Sequence, residues 1–323
     1  MTSTKLINVM ATMLTTAASC MATLSAQQTT PGVPPVATFT SSVDVVRVSA
    51  VVRDRKGRFV RDLVVGDFEV LDAGERRRID EFRDDDSRVS IALLFDVSGS
   101  MESELGHARE AAEQILSWLN VQGDEAAVYT FDTRLAEVTP FTTGLQRLPR
   151  EMQSVTPFGA TSLHDAVALA AGKAATREGL RRAVVVLTDG RDNASRLTAG
   201  EVSGIASSID VPVYIVGIVS AIDDPSSDFS TTTYERSALT GSLSDLASWT
   251  GGRAFVASSI ADRSLTARQI VDELRHQYLI AFESSGTPGW HPLVVRARGK
   301  DLTVRARSGY FAGQSRPASN QED

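Results

Sequence analysis

The run Ile91-Ala92-Leu93-Leu94-Phe95 offers no polar residue to either face, as a central strand covered on both sides requires. Further strands are predicted at 125–131, 183–187 and 211–219, with a short one at 253–256. Between them, apolar residues recur every three or four positions. The clearest such stretch is 104–119, where Leu105, Ala108, Ala112, Ile115 and Leu119 form one stripe. Others lie at 162–175, 199–208, 243–249 and 265–275. Buried strands alternating with amphipathic helices predict an α/β fold with a doubly wound, mostly parallel sheet.

The flanks obey a different period. Residues 43–52 alternate apolar and polar and then turn at Asp54-Arg55-Lys56-Gly57, and short strands are predicted at 68–71 and 77–82. Strand signal returns at 278–283, 290–298 and 302–307. Neither flank has enough strands to be stable alone. They are therefore expected to pair, 43–88 with 278–312, into one small β-rich domain that holds residues 89–277 as an insert. Residues 313–323 are polar, without periodicity, and read as a disordered tail.

Ahead of this lies a leader-like segment. A single basic residue, Lys5, precedes an uncharged stretch over 6–22 that closes on Leu24-Ser25-Ala26, so 1–26 reads as a secretory signal peptide. Residues 27–42 follow as a linker with Pro31, Pro34 and Pro35. The expectation is export, to the periplasm or outside. The one cysteine, Cys20, falls inside the leader after Ala17-Ala18-Ser19, a poor lipoprotein box, and the alternatives to free export are lipidation there or an uncleaved N-terminal anchor. Cleavage after Ala26 would leave no thiol for catalysis or zinc. A net charge of -7 gives no basic footprint for nucleic acid.

Three segments are expected at one edge of the sheet, at strand ends or helix starts, where open α/β folds bind ligands. They are Asp96-Val97-Ser98-Gly99-Ser100, Phe158-Gly159-Ala160-Thr161 and Leu187-Thr188-Asp189-Gly190. Asp96 with two nearby hydroxyls offers hard oxygen ligands suited to a small divalent ion. Singly, each acid or hydroxyl reads as a helix N-cap. Together, Asp96-x-Ser98-x-Ser100, Thr161 and Asp189 resemble the complete metal-ion-dependent adhesion site (MIDAS) of the von Willebrand factor type A (VWFA) domain, and the resemblance covers about residues 89–275. The flanks resemble the narrower VWFA-related family of acidobacteria, through Asp67-Phe68-Glu69-Val70, Glu81-Phe82 and the ending Arg305-Ala306-Arg307-Ser308-Gly309-Tyr310.

The resemblance implies a Rossmann-like domain in which Ser98 and Ser100 bind the metal directly, while Asp96, Thr161 and Asp189 bind it directly or through water. It implies Mg2+, with Mn2+ or Ca2+ as alternatives, and an open position filled by an acidic side chain of a protein partner. The implied activity is non-enzymatic, adhesion-type protein binding. Without metal, two close carboxylates should repel and raise the proton affinity of one of them. Candidate rim residues for the partner are Asp223 and Asp224 in the polar stretch 220–240, and His164, one helical turn after Thr161. The alternative reading is a structural or scaffolding component of a cell-envelope assembly, in which the metal site only stabilises the fold.

Other signals point to little chemistry. His107, His164, His276 and His291 show no zinc spacing, and Ser98 lacks the G-x-S-x-G of a nucleophile elbow. The runs Arg76-Arg77-Arg78 and Asp84-Asp85-Asp86 read as solvated turns and a domain junction.

Overall fold

The structure, a computed structural model, describes residues 45–84, 88–177, 180–219 and 242–312. The segments read as signal peptide, linker and tail lie outside it, as do Asp223 and Asp224. The first strands are β1 (Val45–Arg53), β2 (Phe68–Asp72), β3 (Glu75–Arg77) and β4 (Glu81–Arg83). Along β1 the side chains at 46, 48 and 50 are buried while Val45 and Arg47 are exposed, the alternation of a strand with one covered face.

The central part runs β5 (Val89–Asp96), α1 (Leu105–Ser117), β6 (Glu125–Phe131), β7 (Leu135–Thr143), α2 (Leu163–Ala175), β8 (Arg181–Thr188), α3 (Ala199–Ser208), β9 (Val213–Ile218), α4 (Ser242–Trp249), β10 (Ala254–Ala257) and α5 (Ile260–Arg275). The sheet order is β10-β9-β8-β5-β6-β7. All neighbours are parallel except β6 and β7. This is the doubly wound, mostly parallel sheet expected from the apolar runs. Every residue of β5 is buried, and its two faces feed two cores. Ile91, Leu93 and Phe95 pack with α1 and α5, whereas Ala92 and Leu94 pack with α2, α3 and α4. From β5 the chain crosses one face to β6, and it later returns over the other face to β8. The gap between β5 and β8 is thus the topological switch point, where strand ends open into a crevice.

The last strands are β11 (Gln277–Glu283), β12 (Gly289–Ala297), β13 (Thr303–Arg305) and β14 (Gly309–Ala312). They pair with the first four into two sheets, β13-β1-β11-β4 and β14-β12-β2-β3. Val48, Val52, Phe68, Val70, Ile280, Phe282 and Tyr310 fill the core between them. The sandwich meets α3 closely: a Cβ on Gly204 would stand 2.8 Å from the Phe311 ring, so this position has room only for hydrogen.

Several local expectations change. The strand predicted over 77–82 is two strands in different sheets, because the chain crosses from β2 to β11 at residues 78–80. The antiparallel strand β7 is not marked by the sequence: it is an edge strand, half exposed on both faces and interrupted by Pro140. Helix α5 starts at Ile260 rather than 265, since Ser259 and Asp262 form a reciprocal cap. Arg77, read as part of a solvated turn, sets its Nε 3.2 Å from the fully buried carboxylate of Asp72. Among the described residues no helix is long and apolar enough to cross a membrane.

Candidate metal centre

Asp96 ends β5 and is fully buried. Each of its oxygens has a donor: the Ser98 amide reaches Oδ1 at 3.0 Å and the Thr188 hydroxyl, from the end of β8, reaches Oδ2 at 2.7 Å. Burial pushes its pKa up to about 6. The donors from Ser98 and Thr188 oppose that shift, and the nearby charge of Asp189 adds to it. The mutual repulsion expected from sequence is present, but desolvation is the larger cause.

Backbone hydrogen bonds fasten three loops around this carboxylate. Val97 donates to Phe131 O at 2.9 Å, Phe158 to Val97 O at 2.8 Å and Gly99 to Gly159 O at 3.0 Å. Buried Met101 anchors the turn holding Ser98 and Ser100, whose hydroxyl oxygens lie 3.1 Å apart. Thr161 is held through its backbone: its amide donates to Asn193 Oδ1 at 2.8 Å, and its carbonyl accepts from the amides of Asn193 and Ala194. The Thr161 residue is 1 % exposed. Gly159 and Gly190 take left-handed φ values of 87° and 91°, which the two loop reversals require.

Asp189 follows β8 directly, is nearly buried, and accepts from the Arg191 amide at 3.1 Å. The Arg191 guanidinium stands 3.5 Å from its other oxygen. His164 turns its Nδ1 onto Asp192 at 2.8 Å, and its amide donates to the same oxygen. Burial of Asp192 alone would raise its pKa, but hydrogen bonds from His164 and Ser195 outweigh that and hold it well below the usual carboxylate range. The largely buried His164 side chain thus joins a pair that ties α2 to the loop after β8.

Loops 97–100, 158–162 and 189–193 thus form one braced cluster around the switch point. Among the described residues no group of three or more His, Cys, Asp or Glu side chains is placed to hold a metal. The donors here are instead two carboxylates and three hydroxyls, all hard oxygen. This set fits Mg2+, Mn2+ or Ca2+ and offers no soft ligand. Phe158, 80 % exposed, stands in the loop that braces the Asp96 turn. The motif did not mark it, nor Thr188, Asp192 and Asn193, which act across long sequence separations.

Residues 91–191 match the family model described as the von Willebrand factor type A domain. Among curated proteins none matches the chain. Several solved structures are similar. An aerotolerance-related membrane protein from Bacteroides fragilis is 20% identical over 58% of this chain and 98% of its own, with a TM-score of 0.47. A von Willebrand factor type A protein from Catenulispora acidiphila is 13% identical over 84% and 76% respectively, with a TM-score of 0.46. Proximal thread matrix protein 1 from the mussel byssus, with a zinc-occupied MIDAS motif, is 19% identical over 63% and 50%, with a TM-score of 0.45.

Proposed function

We propose that the von Willebrand factor type A domain of this chain is an exported, non-enzymatic binding module that holds an acidic side chain of a protein partner through one divalent ion, Mg2+ first. Asp96, Ser98, Ser100, Thr161 and Asp189 would hold the ion. When bound it supplies a positive centre that accepts a carboxylate oxygen. The chain's own residues do the rest. Asp96 and Asp189 set negative charge at the crevice floor, and Thr188 with the Ser98 amide fixes the Asp96 carboxylate. Phe158 offers an apolar surface to a protein partner, a contact that exposed aromatic side chains make well.

The observation that carries this reading is the fully buried, doubly hydrogen-bonded Asp96 at the switch point, with the buried Thr161 and Asp189 in the same braced cluster. The test is retention of a polyglutamate peptide on the immobilised chain in Mg2+ and in chelator. Retention that needs the metal and vanishes in Asp96→Ala is expected. Equal retention in chelator would overturn the reading. Lost stability with unchanged retention in Asp96→Ala would favour the scaffolding role.

A further inference from the structure

A second site stands at the opposite edge of the α/β sheet, where Arg253 leads into β10. A cleft of about 350 Å³ opens there between β1, β13, α4 and that turn. Register builds one wall: Arg53 pairs with Thr303 and Val51 with Arg305, which puts all four side chains on one face. Ser244 and Ser248, four apart on α4, form another wall, and Arg253 a third.

Three guanidinium groups line this space, and among the described residues no acid does. One carboxylate lies behind it. Glu273 of α5, fully buried, bonds Arg53 at 2.9 Å through one oxygen and Arg305 through the other. Three cations against one anion leave two positive charges in excess. Arg53 is committed further, to Gly57 O at 2.5 Å and to the Phe59 ring. Arg305 keeps a buried Nε without a hydrogen-bond partner. Arg253 is exposed, lies 5.1 Å from the Phe255 ring centroid and makes no ion pair among the described residues. The hydroxyls of Ser244 and Thr303 likewise have no partner among those residues.

Excess guanidinium charge with free hydroxyl donors in a cleft matches an oxyanion, whose oxygens accept the fork of N–H groups. We propose that this cleft binds a small oxyanion of charge about -2, of the phosphate or dicarboxylate class. The site is independent of Asp96 and of any metal.

The test is thermal unfolding of the full chain in inorganic phosphate and in malonate, each against chloride at equal ionic strength, for wild type and Arg253→Gln. That variant leaves both partners of Glu273 in place, so its fold is expected to persist. At ten times the dissociation constant the midpoint should rise by about 2–3 °C in wild type and not in the variant. Ser244→Ala, a second variant at a non-core position, should weaken the effect several-fold. A rise with phosphate alone assigns a phosphate ligand, with malonate alone a dicarboxylate, and with both a site that reads charge. No rise above chloride in either salt would overturn the proposal. So would equal rises in wild type and Arg253→Gln, since general exclusion of the salts from the surface acts on both alike.

Discussion

The hydroxyl of Thr188, at the end of β8, donates to Asp96 Oδ2, at the end of β5, over 2.7 Å. Two parallel neighbouring strands thereby fix the orientation of a buried carboxylate from outside the five-residue motif. A hydrogen bond to a charged group contributes about 1.5–3 kcal/mol. Thr188→Val should therefore keep the fold and weaken Mn2+ binding at least about tenfold by calorimetry. Unchanged affinity would show that Thr188 does not position Asp96.

Asp96→Asn separates charge from shape. Burial raises the Asp96 pKa to about 6, so its ionised form opposes folding at neutral pH by on the order of 3 kcal/mol when no cation is present. In chelator the Asn variant should melt above wild type. In 10 mM Mg2+ the gap should close, because an ion that dissociates at about 0.1 mM returns about 2.7 kcal/mol to wild type alone. A variant that melts below wild type in chelator would mean the ionised carboxylate is not a burden on the apo fold.

His291 should give the sandwich a pH dependence whose sign follows from its two partners. Its Nδ1 faces Asp72 Oδ1 at 2.8 Å and its Nε2 faces Thr287 O at 2.7 Å, two acceptors that together call for a doubly protonated ring. Burial alone would lower its pKa, but the bonds to Thr287 and Asp72 and the Asp72 charge outweigh burial and the opposing Arg77, so the net shift is upward. A raised folded pKa adds stability that is complete below the unfolded value, about 6.5, and is lost as pH rises through the higher folded value. Melting midpoints measured from pH 6 to 9 should fall more steeply in wild type than in His291→Gln. Parallel slopes would contradict this.

Glu273 ties α5 to β1 and β13 through Arg53 and Arg305. Glu273→Ala should cost about 3 kcal/mol in urea unfolding, the lower end for a broken buried pair, because both arginines keep a quarter of their side chains exposed. Arg53→Gln should cost less, since Arg305 still neutralises the carboxylate. A loss under about 1 kcal/mol for Glu273→Ala would make the tie incidental.

What the sequence disclosed follows from where the forces are local. Ile91 to Phe95 and Ala183 to Leu187 had to be central strands, because residues apolar on both faces have only a sheet interior to occupy. Asp96, Thr161 and Asp189 stood out because strand ends and helix starts are readable from periodicity. The supports of the site were hidden: Asn193 holds Thr161 and Thr188 holds Asp96 over separations of 32 and 92 residues. Strand β7 was hidden because an edge strand with mixed faces lacks the alternation that burial imposes. The switch of sheets at residues 78–80 has no local signature, being set by which partner strand each half meets. The start of α5 was missed because Ile260 is exposed and breaks the stripe, although the cap pair Ser259 and Asp262 was there to be read.

The central claim is that Asp96 belongs to a working divalent-ion site. The direct measurement is thermal unfolding of the full chain in chelator and then in 10 mM Mg2+ or Mn2+, with Asp96→Ala beside it. For an ion that dissociates at about 0.1 mM, the added stability is about 2.7 kcal/mol, or several degrees. A metal-dependent rise in wild type that is absent from Asp96→Ala is the expected result. No rise in wild type, or the same rise in the variant, would contradict the claim.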